Sequence, residues 1–354
     1  MKETRRSSIK KIGTGFFALP AVTSLGAIVS SCGGNPTSGE STAEGEANAA
    51  PTEAASMFFS ISLAQWSLNH SIFGKSRELG WEEFGKRLKN DPDSLLQGTI
   101  DPLDFPSIAK NDFGLDAVEY VNTFYFSKAE DMDYLSQLKQ RCDDNGVKSV
   151  LIMCDAEGNL GDSDEAARIK AVENHYKWIN AAKYLGCHSI RVNAAGQGTA
   201  EEVKAAAVDG LGRLTEYGAE NEIGVIVENH GGYSSNGQWL ADVIKQVGND
   251  YCGTLPDFGN FCIEPGDDGC VNEYDRYKGM AELMPFAKGV SAKSKQFDQN
   301  GNETSTDFTR MLQIVKDSGF NGYIDIEYEG SELSEPDGIR ATKALLERVG
   351  KQMS

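Results

Sequence analysis

Three acidic side chains follow short apolar segments in the second half of the chain. Glu228, Asp257 and Glu327 each stand at the end of such a segment or directly beyond it. A carboxylate in this position is costly to bury unless it is paired, protonated or bound to a metal. Hard oxygen ligands suit Mn²⁺ or Mg²⁺, with zinc or cobalt as alternatives. The pattern predicts a divalent metal site, although any one carboxylate taken alone could instead cap a helix or pair with an arginine.

A histidine and a lysine accompany these carboxylates. His230 lies two residues after Glu228, and Lys293 lies in the apolar segment between Asp257 and Glu327. Removal of a proton from a carbon next to a carbonyl group needs a base, an acid or base on the other face, and a positive charge near the developing enediolate. We therefore predict proton-transfer chemistry. Its catalytic candidates are Glu228, Glu327, His230 and Lys293, with a packing role as the alternative for His230.

Polar side chains and one tryptophan near the ends of the apolar segments are candidates for binding a substrate. An indole ring offers a flat face on which a sugar ring can stack, and amide and guanidinium groups can bond hydroxyls. The candidates are Gln65, Trp66, Arg191, Asn193, Asn229 and Asn260. The chain carries a net charge of −19, which repels polyanions, so we exclude nucleic acid as a partner.

Eight apolar segments, which alternate with longer amphipathic stretches, must position these residues. The segments are 58–63, 117–121, 149–153, 189–192, 224–227, 253–255, 289–292 and 322–326, and helical spacing is clearest over 129–142, 165–184 and 306–316. Regular alternation of strand and helix predicts a single (β/α)₈ barrel, in which reactive groups gather where the strands end. The alternative, an open doubly wound sheet, is disfavoured because no GxGxxG motif follows the first strand.

The connection between the first two predicted strands is unusually long. The pattern of apolar and polar residues over 73–101 predicts an inserted helix around 81–88 followed by a polar loop. In a barrel an insertion after the first strand lies on the catalytic face. It therefore either shapes the substrate mouth or decorates the barrel passively, and the sequence does not separate these alternatives.

The N-terminal residues have the composition of an export signal and a tether. Residues 1–32 contain an arginine pair, an apolar stretch and the ending Val29-Ser30-Ser31-Cys32, which resemble a twin-arginine signal and a lipoprotein cleavage site. Residues 33–57 lack large apolar side chains until their end and predict a flexible linker to a catalytic domain over 58–354. We expect an exported protein, periplasmic or outer-membrane-associated, that a lipid on Cys32 anchors to the membrane.

Cysteine usage is compatible with export. Cys154, Cys187 and Cys252 lie in or beside apolar segments. This position predicts that the three side chains are buried and pack as small hydrophobic residues. An oxidising compartment would also permit a bridge such as Cys262 to Cys270, although the sequence does not establish one.

Three short motifs resemble those of the xylose-isomerase-like sugar isomerase/epimerase superfamily. They occupy residues 227–232, 255–260 and 324–330, and the resemblance extends over roughly 58–350. Residues 64–68 and 289–294 resemble more narrowly an exported branch from Bacteroidetes-type bacteria. The resemblance implies a TIM barrel with a divalent metal held by a glutamate, an aspartate, a histidine and a glutamate on strands five to eight. Glu228, Asp257 and Glu327 match the three acidic positions.

Two histidine positions of the superfamily do not match. The strand-seven histidine is replaced by Ser291, and the histidine three residues after Asp257 is replaced by Asn260. We therefore expect an oxygen-rich site. It either binds metal more weakly, recruits His230 or water, or has lost the metal, in which case Lys293 supplies the positive charge.

The resemblance implies a sugar isomerase or epimerase, and export favours an unphosphorylated sugar or keto-sugar as its substrate. The same proton removal permits a second activity, a lyase or hydratase that cleaves 3-keto-glycosides by β-elimination. A non-catalytic carbohydrate-binding lipoprotein remains a third hypothesis because two ligand positions are changed. The endonuclease-type members of the superfamily are poor models, since the chain is acidic and has four histidines.

Overall fold

A computed structural model describes residues 56–267 and 269–354 of the chain. The predicted export signal and all but the last two residues of the predicted linker lie outside this range. Within the described residues, no helix combines the length and hydrophobicity that a membrane crossing needs.

The described part of the chain contains ten strands. They are β1 Ser60–Ala64, β2 Ala117–Val121, β3 Lys148–Met153, β4 Ser189–Val192, β5 Gly224–Glu228, β6 Cys252–Leu255, β7 Cys262–Gly266, β8 Gly269–Glu273, β9 Val290–Ser294 and β10 Tyr323–Tyr328. Eight of them form one parallel sheet in the order β6-β5-β4-β3-β2-β1-β10-β9. Parallel bridges from Thr254 to Ala287 and from Asp257 to Ser291 join its two edges. The predicted (β/α)₈ barrel is confirmed.

Ten α-helices occur in the same residues. They are α1 Asn69–Phe73, α2 Trp81–Asn90, α3 Phe105–Phe113, α4 Met132–Asn145, α5 Glu165–Leu185, α6 Ala200–Glu220, α7 Gly237–Val247, α8 Arg276–Leu283, α9 Phe308–Asp317 and α10 Glu335–Gln352. Two of them start later than the helical spacing predicts. The side chains of Asp131 and Asp307 accept hydrogen bonds from backbone N–H groups of the first turn and thereby cap α4 and α9.

The long connection after β1 contains the predicted inserted helix, α2, and a second helix, α3, which packs beside α4 as the crossover to β2. Sequence patterning missed the antiparallel hairpin of β7 and β8, because its residues are mostly exposed and form no apolar run. The Cys262–Cys270 disulfide links its two strands. The remaining described cysteines, Cys142, Cys154, Cys187 and Cys252, are buried and unpaired.

Candidate active site and metal centre

Glu228, Asp257 and Glu327 meet at the C-terminal mouth of the barrel. Glu228 is the last residue of β5, Asp257 lies two residues beyond β6, and Glu327 lies near the end of β10. One carboxylate oxygen from each lies within 4.8 Å of the others, and all three side chains are buried. The barrel therefore brings together the three acidic residues that the sequence singled out.

The free oxygens of this triad fit a divalent cation. Oδ1 of Asp257 accepts the backbone N–H groups of Gly259 at 2.7 Å and Asn260 at 2.8 Å. Its Oδ2, like Oε2 of Glu228, has no hydrogen-bond donor among the residues that the structure describes. Buried acceptors without donors are rare in proteins. Three hard oxygen donors with such atoms form a donor set that suits Mn²⁺ or Mg²⁺.

Two basic side chains approach the triad from opposite sides. Nε of Arg191 on β4 lies 2.8 Å from Oε2 of Glu228, but its N–H bond is not directed at that oxygen, so the contact is an ion pair without a hydrogen bond. Arg191 also donates to Oδ1 of Asp155 at 2.8 Å. Burial opposes the negative charge of Asp155, but Arg191 outweighs that cost and holds the pKa of the carboxyl at about 2.

Lys293 on β9 balances the other side of the triad. Its Nζ lies 3.0 Å from Oε1 of Glu327, 3.1 Å from Oε2 of Glu329 and 3.9 Å from Oδ2 of Asp257. Burial opposes the charge of Lys293, yet Glu327, Asp257 and Glu329 together raise its pKa well above the ordinary value. The lysine is therefore a fixed positive charge at the floor of the mouth.

The acidic groups are only partly compensated by these cations. Burial raises the pKa of Asp257 to about 8 against the opposing effect of Lys293, and the charges of Glu228 and Glu327 add to that rise. Burial likewise raises the pKa of Glu327. The cluster thus favours either retained protons or a further cation.

The residues at the two changed histidine positions bond to the triad. Nδ2 of Asn260 donates to Oε1 of Glu228 at 2.8 Å, and Oγ of Ser291 donates to Oε2 of Glu327 at 2.9 Å. At both positions the residue present donates a hydrogen bond that orients a neighbouring carboxylate.

The predicted substrate-binding residues occupy two kinds of position. Trp66 and Arg191 line a cavity of about 440 Å³, together with the catalytic candidates His230 and Glu327. Asn193 lies beside it and donates to Oδ1 of Asp155 at 2.8 Å.

Two other candidates hold strand ends together. Oε1 of Gln65 accepts the backbone N–H of Val121 at 3.2 Å, and Asn229 bonds the backbone N–H and carbonyl of Asp257. Among the described residues that line the cavity, neither Gln65 nor Asn229 occurs. Their positions at strand ends made these amides candidates for substrate binding. The sequence could not show that they instead form hydrogen bonds with the backbone of the adjacent strand or the loop after it.

Glu329 is a site residue that the sequence candidates omitted. Its Oε1 accepts the indole N–H of Trp66 at 2.6 Å, while its Oε2 pairs with Lys293. Burial opposes its charge, but Lys293 dominates and lowers the pKa of Glu329 to about 2. Its position directly after β10 could have identified it from the sequence. Asp155, which was also omitted, could have been identified in the same way from its position just after β3. Glu329 ties the orientation of Trp66 to the charged floor of the cavity.

A second acidic layer lies inside the barrel. Glu119 on β2 accepts the hydroxyl of Ser62 at 2.7 Å, and Oδ1 of Asp325 on β10 lies 3.2 Å from Oγ of Ser291. Burial raises the pKa of Glu119 to about 7, and burial followed by the charge of Glu119 raises the pKa of Asp325 well above its usual range. Burial therefore favours the protonated form of both carboxyl groups.

Comparison with known proteins places these features in a family context. The chain matches the family model of the xylose isomerase-like TIM barrel over residues 109–349. A C-glycoside deglycosidase alpha subunit from Arthrobacter globiformis is 35% identical over 65 residues, which cover 18% of this chain and 18% of that protein. The matched segment is therefore less than a fifth of that relative.

Solved structures resemble the chain at the level of the fold. The apo 3-keto-D-glucoside 4-epimerase from E. coli has a TM-score of 0.56 at 13% identity and covers 70% of this chain and 94% of its own. A xylose isomerase-like TIM barrel protein from Mycobacterium smegmatis in complex with magnesium has a TM-score of 0.57 at 14% identity, with 84% and 98% covered. At these identities the likeness shows the fold alone.

We predict that Glu119→Gln stabilises the metal-free protein in a pH-dependent way. Because the folded-state pKa of Glu119 is raised above its ordinary value of 4.5 to about 7, native stability is lost as the pH rises through that interval. Glutamine imitates the protonated form and avoids this loss. Thermal unfolding in a chelating buffer should show a melting temperature several degrees above that of the wild type at pH 8 and little difference at pH 4.5.

The exposed Glu216→Gln substitution is the matched control for this measurement. It should show no such pH-dependent gain. An equal effect of Glu119→Gln at both pH values would contradict a raised pKa for Glu119.

Proposed function

The chain belongs to the xylose isomerase-like TIM barrel family, and from that membership and the geometry of its site we propose that it is a sugar isomerase or epimerase. It moves a proton at a carbon next to a carbonyl group of an unphosphorylated sugar or keto-sugar, with the assistance of a divalent metal. The observation that carries this proposal is the buried triad of Glu228, Asp257 and Glu327, with oxygens within 4.8 Å of one another.

The triad would hold the metal. Bound there, a divalent cation supplies positive charge that stabilises a developing enediolate. Asn260 and Ser291 orient two of the ligating carboxylates by donating hydrogen bonds to them. The backbone N–H groups that bond Oδ1 of Asp257 leave its other oxygen available.

Proton transfer falls to the glutamates. Glu228 on β5 and Glu327 on β10 are separated by β6 and β9 in the closed sheet, and we propose that they act on different sides of the reacting carbon. Glu327 borders the cavity, and burial raises its pKa, which favours uptake of a proton by this carboxylate. Lys293, whose Nζ lies 3.0 Å from Oε1 of Glu327, would add a fixed positive charge close to this glutamate.

Sugar binding falls to the residues that line the mouth. Trp66 offers a stacking face, and its bond to Glu329 fixes the orientation of the ring. Arg191 and His230 line the same cavity and can bond sugar hydroxyls. Asp155 holds the Arg191 guanidinium in place with its ionised carboxylate.

A second candidate function is a lyase that acts on 3-keto-glycosides. The segment shared with a C-glycoside deglycosidase alpha subunit favours it. The first step is the same, since the keto group acidifies the hydrogen at C2. A carboxylate removes that proton, the electron pair forms the C1–C2 double bond, and the group at C1 leaves with its bonding electrons and takes up a proton. Epimerisation instead returns a proton to the other face of C2 or C4.

We predict that the protein exchanges a carbon-bound hydrogen of methyl 3-keto-β-D-glucopyranoside for deuterium in D₂O containing Mn²⁺. Proton NMR should show loss of a signal next to the carbonyl, and its rate should fall by about 100-fold or more in Glu327→Gln. The exposed Glu216→Gln variant should keep the wild-type rate. Formation of an epimer or of an alkene then separates the two candidate activities.

Absence of exchange across a panel of keto-sugars and keto-glycosides, with binding retained, would contradict both enzymatic proposals. That outcome would favour the carbohydrate-binding hypothesis. Unchanged exchange in Glu327→Gln would contradict the role assigned to this glutamate.

We further propose that the protein is exported and anchored to a membrane by a lipid on Cys32. The arginine pair near the N-terminus and the Val29-Ser30-Ser31-Cys32 segment support export. The Cys262–Cys270 disulfide supports it independently, because disulfides persist mainly in oxidising compartments.

We predict that Cys32→Ser abolishes incorporation of a labelled fatty acid and moves the protein from the membrane fraction to the soluble fraction. Ser31→Ala keeps a small residue before the cysteine and should retain both the label and the membrane location. Fatty-acid labelling that persists in Cys32→Ser would contradict lipid attachment at this residue.

A further inference from the structure

The part of the cavity lining that α2 contributes has no role in the proton chemistry. We infer that this wall, built by α2 and the residues before it, is a subsite for a flat, apolar aglycone, so that the substrate is an aryl glycoside oxidised on its sugar ring. This inference rests on the proposed function and names the substrate class of that same site.

The reacting end and the apolar wall belong to one cavity. Its lining includes both Arg191 and Glu327 of the barrel strands and Trp81, Gly85 and Leu88 of α2. A volume of about 440 Å³ lies within the range of about 300–1,000 Å³ of pockets that take drug-sized ligands. A second ring beside the sugar therefore has room.

Trp81 is unusually exposed for a tryptophan in a folded domain. Its side chain is 75% exposed in the first turn of α2, whereas tryptophans are highly buried on average. One side of the indole meets the edge of Phe84, with 6.3 Å between ring centroids. Most of its surface remains open at the cavity, where an aromatic ring of a ligand could stack on it.

The position of Gly85 in α2 also supports an apolar aglycone as the ligand of this wall. A glycine inside a helix costs about 1 kcal/mol relative to alanine, so it needs a reason. No described atom of the protein outside its immediate chain neighbours and helix backbone lies within 4 Å of where its Cβ would be, so packing does not require glycine. Trp81, Gly85 and Leu88 are spaced by four and three residues and share one helix face. The missing side chain leaves a shallow apolar gap between the other two.

Arg77 connects the two halves of the cavity. Its guanidinium carbon lies 5.2 Å from the centroid of the Trp66 ring and 5.9 Å from that of Trp81. Its Nε and the hydroxyl of buried Thr123 lack hydrogen-bond partners in the described part of the chain, and both residues line the cavity. They can bond polar substituents, which fits an aglycone of phenolic type.

Calorimetric titration of the full chain with methyl and phenyl β-D-glucopyranoside tests the subsite. The two probes differ only in the aglycone and carry no keto group. We expect the wild type to bind the phenyl glucoside about tenfold more tightly than the methyl glucoside. Trp81→Ala and Gly85→Leu should abolish most of this preference, the first by removing the stacking face and the second by filling the gap.

Matched variants separate recognition from folding. Trp81→Phe keeps an aromatic face and Gly85→Ala adds little volume, so both should retain the preference. Tyr184→Ala removes a partly exposed aromatic side chain of α5 and should leave the preference unchanged. Thermal unfolding should show that all variants are folded, because Trp81 is exposed and the space beside Gly85 is open.

Equal affinities of the wild type for both glucosides, no binding of either, or an unchanged preference in Trp81→Ala would overturn the subsite. Deuterium exchange on the methyl keto-glucoside combined with equal affinities would leave the proposed function standing and remove the aglycone subsite alone. Conversely, a phenyl preference that depends on Trp81 would support the subsite even without exchange, since neither probe is turned over.

Discussion

The burial of like charge inside the barrel is the constraint on which the site depends. The buried carboxyl groups are Glu119, Glu228, Asp257, Asp325 and Glu327. Each ionised carboxylate removed from water costs several kcal/mol unless a partner compensates it. Arg191 and Lys293 compensate part of this negative charge. The raised pKa values of Asp257 and Glu119 indicate that the rest of the charge is not compensated. The divalent cation proposed for the triad would supply further positive charge there, and protonation would relieve the carboxyl groups of the lower layer.

The barrel and the three triad residues could be predicted from the sequence because both depend on strand patterning. Apolar runs predicted the eight barrel strands, and strand ends predicted where Glu228, Asp257 and Glu327 converge. The hairpin of β7 and β8 was missed since exposed strands form no such run. Asn260 and Ser291 could be recognised as changed histidine positions, but their hydrogen bonds to carboxylates depend on side-chain geometry that strand patterning does not contain.

Different structural elements carry the groups for proton transfer and the groups for substrate binding. Rigid barrel strands carry the carboxylates and the basic residues that balance them. The connection after β1 carries Trp66, Arg77 and α2, which together form one wall of the cavity. Loops vary more readily than strands, so the chemistry carried by barrel strands can be combined with different substrate-binding walls. Glu329 links the two regions because it contacts both Trp66 and Lys293.

Titration of the chelator-stripped protein with Mn²⁺ tests the central claim most directly, namely that the buried triad holds a divalent metal. We expect the wild type to bind one Mn²⁺ per chain and Asp257→Asn, which keeps the size of the side chain but removes its charge, to lose at least about tenfold in affinity. The exposed Glu216→Gln variant should bind as the wild type does. No Mn²⁺ bound by the wild type, or equal affinity in Asp257→Asn, would contradict the claim.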